Sequence, residues 1–154
     1  MTTRYLSIAA ILLWLVTIIV FGVFFVKGYT TAGSDNRTAI VLKSGERTLI
    51  LSEMRGLLNS VYGVLSGLNK GDMAQVADAA SKAGMAAAAD VNPALMAKLP
   101  LEFKSLGMSV HRDMDDLAAA AGKGKSSPEI QTMLTNTLAK CVGCHSAWQV
   151  NAAD

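Results

Sequence analysis

Cys141, Cys144 and His145 stand in the order Cys-Val-Gly-Cys-His near the end of a 154-residue chain. On a helix, residues three and four apart leave the same side, so two thiols and an imidazole share one face. Cys-x-x-Cys-His is the attachment signature of haem c. The thiols add across the two vinyl groups of the porphyrin, and the adjacent imidazole becomes an axial ligand of the iron. The chain has no other cysteine, so no disulfide partner competes for these two. A zinc site and a thioredoxin-like dithiol are the competing chemistries. Zinc needs four N/S ligands, and only His111 is left to join the three. A redox dithiol belongs in a βαβ setting, which the sequence pattern lacks. The signature therefore points to one covalently attached haem c, with His145 on its iron.

An independent feature lies at the other end. Tyr5 to Val26 is a run of 22 residues without a charge, bounded by Arg4 and Lys27. As a helix it would extend ~33 Å, against a bilayer hydrocarbon core of ~30 Å. A cleaved signal peptide is the competing reading, but the run is longer than the apolar region of about 7–15 residues that such signals carry. The expectation is a single uncleaved transmembrane anchor over residues 1–27, touching membrane lipid through residues 5–26.

The rest of the chain must position the signature. Arg4 and Lys27 account for the net charge of +2, leaving 12 Lys/Arg against 12 Asp/Glu beyond Lys27. That balance gives no basic face for nucleic acid. Residues 28–43 read as a polar linker, interrupted by the apolar Ala39-Ile40-Val41-Leu42, which fits either an extended segment or a first helical turn. Residues 44–154 read as one helical domain.

Within that domain the first helix begins at Ser44 and runs to about Leu68, with a stripe of Ile50, Met54, Leu57, Val61, Leu65 and Leu68. Asp72 caps a second helix running to Ala89 with a small-residue face. Asn92-Pro93 opens a short helix that Pro100 interrupts. A third main helix continues to about Ala121 with Phe103, Leu106, Val110, Met114 and Leu117 inward, and His111 beside that stripe. Ser127, Pro128 and Glu129 start the last helix, whose inner face carries Ile130, Leu134, Thr137, Cys141, Cys144 and Trp148. Lys123, Lys125 and Lys140 are candidates for a small basic collar at the haem edge.

The signature thus sits in the last helix of the domain, within LAKCVGCHSAW, with the aromatic Trp148 three residues after the histidine. In this it resembles the cytochrome c′ superfamily of four-helix-bundle haem proteins, over about residues 44–149. The resemblance implies an all-α fold in which one N-terminal transmembrane helix precedes an antiparallel four-helix bundle binding haem c. In the family's low-spin branch a methionine near the start of the first helix is the sixth iron ligand, and Met54 in LSEMRGLL matches that place. In the high-spin branch an apolar residue leaves the iron five-coordinate and open to small gases such as nitric oxide. His111 is the alternative sixth ligand, with a propionate partner or a surface histidine as its other readings. The basic residue that often follows the family's aromatic is Gln149 here.

Resemblance to bacterial c-type cytochromes also implies maturation outside the cytoplasmic membrane. The amino terminus is then cytoplasmic and the haem domain periplasmic, on a bacterial inner membrane. A thioether ligand favours ferrous iron and closes the site to substrates. The expected activity is single-electron transfer without catalysis, to redox partner proteins or within a multi-subunit membrane oxidoreductase complex. Gas binding, or a structural haem subunit, are the alternatives.

Overall fold

The computed structural model describes residues 2–89 and 91–153. Met1 and Asp154, the outermost positions of the expected anchor and haem domain, lie outside the described residues. The chain is mostly helical, but the all-α expectation misses a small sheet. Helix α1 covers Thr2–Lys27, and every side chain from Arg4 to Lys27 is exposed. A helix apolar on all sides has no polar face to give to water. By length and composition α1 is able to cross a membrane once.

Residues 28–43 do not form an open linker. Strands β1 (Thr30–Ala32) and β2 (Thr38–Leu42) pair antiparallel, with Thr30 opposite Ile40 and Ala32 opposite Thr38. Asn36, at φ 66°, takes the left-handed turn conformation that asparagine tolerates better than most residues. Of the two readings of Ala39–Leu42, the extended one is observed. Ala39, Ile40 and Leu42 are at most 1% exposed, so the segment is core rather than tether.

Helix α2 (Ser44–Lys70) starts where the Glu46 carboxylate accepts from the Lys43 N–H at 2.9 Å. It stops at Gly71, whose φ of 69° is the left-handed cap glycine supplies at little steric cost. Its buried face is turned slightly from the expected stripe. Ser60, Val64 and Gly67 point inward, and Leu65 faces solvent.

Asp72 caps helix α3 (Met73–Ser81) by accepting from the Gln75 N–H at 2.9 Å. The expected continuation to Ala89 fails, and a 3₁₀ turn, Met85–Ala88, follows instead. Two side chains from the facing helix claim the backbone there. His111 Nδ1 lies 2.9 Å from the Ala83 carbonyl, and the Met85 N–H donates to Asp115 at 2.9 Å. Helix α4 (Pro93–Lys98) opens on the Asn92 cap, and Pro100 separates it from α5 (Leu101–Gly122). Helix α6 (Ser127–Ala147) is capped by Ser126, one residue earlier than expected, whose N–H donates to Glu129 at 3.0 Å.

Two apolar clusters hold these parts. One joins α2, α3, α5 and α6 through Val64, Val76, Met114, Leu117, Ile130 and Leu134. Each fully buried aliphatic side chain there contributes roughly 1.5–3 kcal/mol of transfer free energy. The second gathers Ile40, Leu42, Ile50, Leu95, Leu99 and Phe103, with Met54, Cys144 and Trp148 against it. The chain closes with strand β3 (Trp148–Ala152), which pairs in parallel with β2, Trp148 opposite Thr38 and Ala152 opposite Leu42.

Candidate functional site

The signature occupies the last two turns of α6. Upstream, Ile130, Leu134 and Thr137 seal that helix against the first cluster. Cys141 and Cys144 continue the same face, and both are half-buried instead of buried as expected. His145 and Val142 are exposed, Val142 at 68%. The helix ends at Ala147, and the Trp148 N–H closes it on the Cys144 carbonyl. Trp148, the first residue of β3, meets Phe103 edge to face, with ring centroids 6.2 Å apart.

Cys144, His145 and Trp148 line a cleft of about 160 Å³, and Cys141 does not. Met54 and Leu51 of α2 line it together with Cys144, His145 and Trp148. Phe103 and Arg37 are also among the lining residues. Met54 and Phe103 also line a second pocket of about 90 Å³, with Glu53, Met108 and His111. The structure therefore brings Met54 to the signature and places His111 in the neighbouring pocket.

His111 is buried, and its Nδ1 faces the Ala83 carbonyl at 2.9 Å. A carbonyl only accepts, so Nδ1 carries a proton and donates to it. The surface reading of His111 is excluded by its burial. Burial pushes the nearby Glu53 carboxyl above its usual range, and His111 partly opposes that shift.

The electrostatics separate the competing chemistries. Burial pushes both Cys141 and Cys144 above the ordinary thiol range, with Cys141 adding to the effect on Cys144. Dithiol oxidoreductases depend on a lowered thiol, so the shift has the wrong sign for that role. Among the described residues no group of three His, Cys, Asp and Glu side chains is assembled to hold a metal ion. His111, needed to complete a zinc set, lines the neighbouring pocket and not the cleft of Cys144 and His145.

The donor set suits a porphyrin held through thioethers. Two free thiols leave one side of one helix, an imidazole follows, and the Met54 thioether lines the same apolar cleft as Cys144 and His145. The His145 ring makes no hydrogen bond among the described residues, and the Met54 sulfur is equally free.

Arg37, Arg47 and Gln149 were not legible as site residues. Arg37 Nη1 donates to the carbonyls of His145 at 3.2 Å and Trp148 at 3.4 Å. Arg47 Nε donates to Val150 O at 3.0 Å, and Gln149 Nε2 to Asp35 at 3.3 Å. Only the Asp35-Asn36 turn pair between Thr-rich segments hinted at the hairpin that delivers Arg37.

The basic collar does not form. Lys125 and Lys123 precede the start of α6, and Lys125 pairs with Glu129 at 3.0 Å. The signature is at the opposite end of a helix that rises ~1.5 Å per residue. Lys140 is tied to Asp113 at 2.6 Å.

No family model, curated protein or solved structure matches this chain.

Proposed function

We propose that this chain is a membrane-anchored mono-haem c cytochrome that passes single electrons. The observation that carries the reading is the shared cleft, to which α2 contributes Met54 and α6 contributes Cys144 and His145. Cys141 and Cys144 would hold the porphyrin, and His145 and Met54 would bind its iron. Bound there, the haem supplies reversible one-electron chemistry at iron.

The chain's own residues set the terms of that chemistry. The Met54 thioether would favour the ferrous state and leave the iron no place for a substrate, so the protein would act as a carrier and not an enzyme. Phe103 and Trp148 keep the cleft apolar, and Arg37 fixes the main chain that bears His145. In this reading α2, α3, α5 and α6 form the four-helix bundle of a cytochrome c′ relative, to which the sheet is an addition. Helix α1 crosses a bacterial inner membrane with the amino terminus cytoplasmic and the haem domain periplasmic. The partners are redox proteins, including a multi-subunit membrane oxidoreductase complex, and not nucleic acid.

A second reading is a five-coordinate haem protein that binds small gases such as nitric oxide. The pocket of about 90 Å³ beside Met54 favours it, since a diatomic ligand would have room there. Carbon monoxide added to the ferrous protein separates the two. Resistance to complex formation is expected for Met54 ligation, and rapid, complete complex formation belongs to the open site.

A further inference from the structure

Helix α1 does not end in a free tether. Its last turn and Tyr29 just beyond it are each bonded to the region where α4 meets α5. The Tyr29 N–H donates to the Lys98 carbonyl at 2.7 Å, and the Tyr29 carbonyl accepts from Val41 in β2 at 2.9 Å. Lys104 Nζ donates to the Phe25 carbonyl at 3.4 Å and stands 4.0 Å from the centre of the Phe25 ring. A cation belongs at that position, because the last carbonyls of a helix have no partner within it and carry partial negative charge.

Gly28 is the crossing point. Its φ of 62° is left-handed, and a Cβ there would lie 2.6 Å from Pro100 N and 2.7 Å from the Leu99 carbonyl carbon. Only a residue without a side chain lets α1 approach the α4–α5 backbone so closely.

Between α1 and α4 this joint leaves a groove of about 400 Å³, lined by Val20, Phe21, Phe24, Phe25, Tyr29 and Ala97. Most of its wall belongs to the exposed apolar face of α1 and is continuous with it. Ala94, Ala97 and Leu101 extend the apolar surface onto α4 and the start of α5, where all three are exposed. Water in such a groove would leave apolar surface wetted at roughly 25 cal/mol per Å².

We propose that the domain is seated on the bilayer rather than tethered above it, with lipid acyl chains filling the groove between α1 and α4. This rests on α1 crossing the membrane, but not on the haem. The seat also sets which end of the domain meets the membrane. Leu99 and Phe103, neighbours of the seat residues Lys98 and Lys104, belong to the cluster against which Cys144 and Trp148 pack. The cleft is therefore at the membrane-proximal end.

Photocrosslinking of the full chain in phosphatidylcholine nanodiscs tests this without reference to haem. p-Benzoylphenylalanine is introduced singly at position 97, at position 21 within the apolar run, and at position 123 in the loop before α6. Lipid adducts, read by mass spectrometry, are expected at 97 and 21 and not at 123. Adducts at 21 without adducts at 97 overturn the seat while leaving the anchor intact. Absence at both positions removes the membrane reading and the seat with it. In a Gly28→Val background the adduct at 97 is expected to be lost while that at 21 persists. Its survival there contradicts the joint as what holds the domain down.

Discussion

Arg37, in the turn of an N-terminal hairpin, donates to the main-chain carbonyl of His145 at 3.2 Å, joining positions 108 residues apart. Its Nε and Nη2 are held by Asp35 at 2.8 and 2.6 Å, so the guanidinium fork is oriented before it meets α6. The charge sits where a helix C-terminus leaves unpaired carbonyls. The hairpin that follows α1 thus clamps the residue proposed to bind iron.

Removing that clamp loosens the end of α6 and the start of β3. Arg37→Ala is expected to lower the stability modestly, because water competes for these exposed hydrogen bonds. Urea unfolding measures it. Arg37→Lys recovers little of the loss, because a point charge cannot bridge two carbonyls and a carboxylate together. Wild-type stability in Arg37→Ala would mean that β3 and Arg47 hold the segment alone.

Acid weakens the fold partly through the N-terminus of α6. Hydrogen bonds from Ser126 and then Lys125 hold the Glu129 carboxyl down to about 2, against an ordinary 4.5. A lowered folded-state value gives stability that is complete above about 4.5 and is lost as the pH falls toward 2. Asp35, held down by Arg37, and Glu46, held down by Lys98, lose stability in the same direction. Denaturant midpoints measured from pH 6 downward are expected to fall less steeply in Glu129→Gln than in wild type. Parallel curves would remove Glu129 from the account.

The contact of α2 with α3 depends on a missing side chain. A Cβ on Gly67 would sit 2.8 Å from a Val76 methyl and 3.0 Å from the Asp72 carbonyl oxygen. Val76 is fully buried, so the two helices must separate to admit anything larger. Gly67→Val is expected to destabilise by roughly 1–3 kcal/mol, the range for overpacked cores. A thermal scan reads the effect, and an unchanged midpoint would show that the helices part at no cost.

The ligand assignment separates Met54 from His111. Met54→Ala opens the sixth position, so the ferrous protein is expected to gain carbon monoxide binding and lose any long-wavelength ferric sulfur–iron band. His111→Ala leaves that spectrum in place, because its ring is anchored to Ala83 and lines the neighbouring pocket. A spectrum that changes only in His111→Ala reverses the assignment.

Helix boundaries were legible where a local residue dictates them. Asn92-Pro93 opens α4, Asp72 caps α3, and Gly71 ends α2, each through its own backbone or side-chain chemistry. The end of α3 was not legible, because His111 and Asp115 of α5 break it from outside. The sheet escaped for the same reason. Thr38–Leu42 is five residues long, and its partner β3 lies past the end of α6, so no local period announces the pairing. Arg37 and Arg47 could not be recognised without that pairing, whereas Cys141, Cys144 and His145 carry their chemistry in adjacent residues. Met54 was found by its place near the start of the first domain helix, and the cleft that it shares with Cys144 and His145 rests on packing the sequence did not display.

The central claim is covalent haem on α6. It is tested most directly by intact mass and a reduced pyridine haemochrome spectrum of the full chain made in a host with c-type maturation. The account predicts a mass greater than the polypeptide by one haem and the spectrum of a porphyrin joined through two thioethers. A mass equal to the amino acids alone, with no Soret absorption, would contradict it.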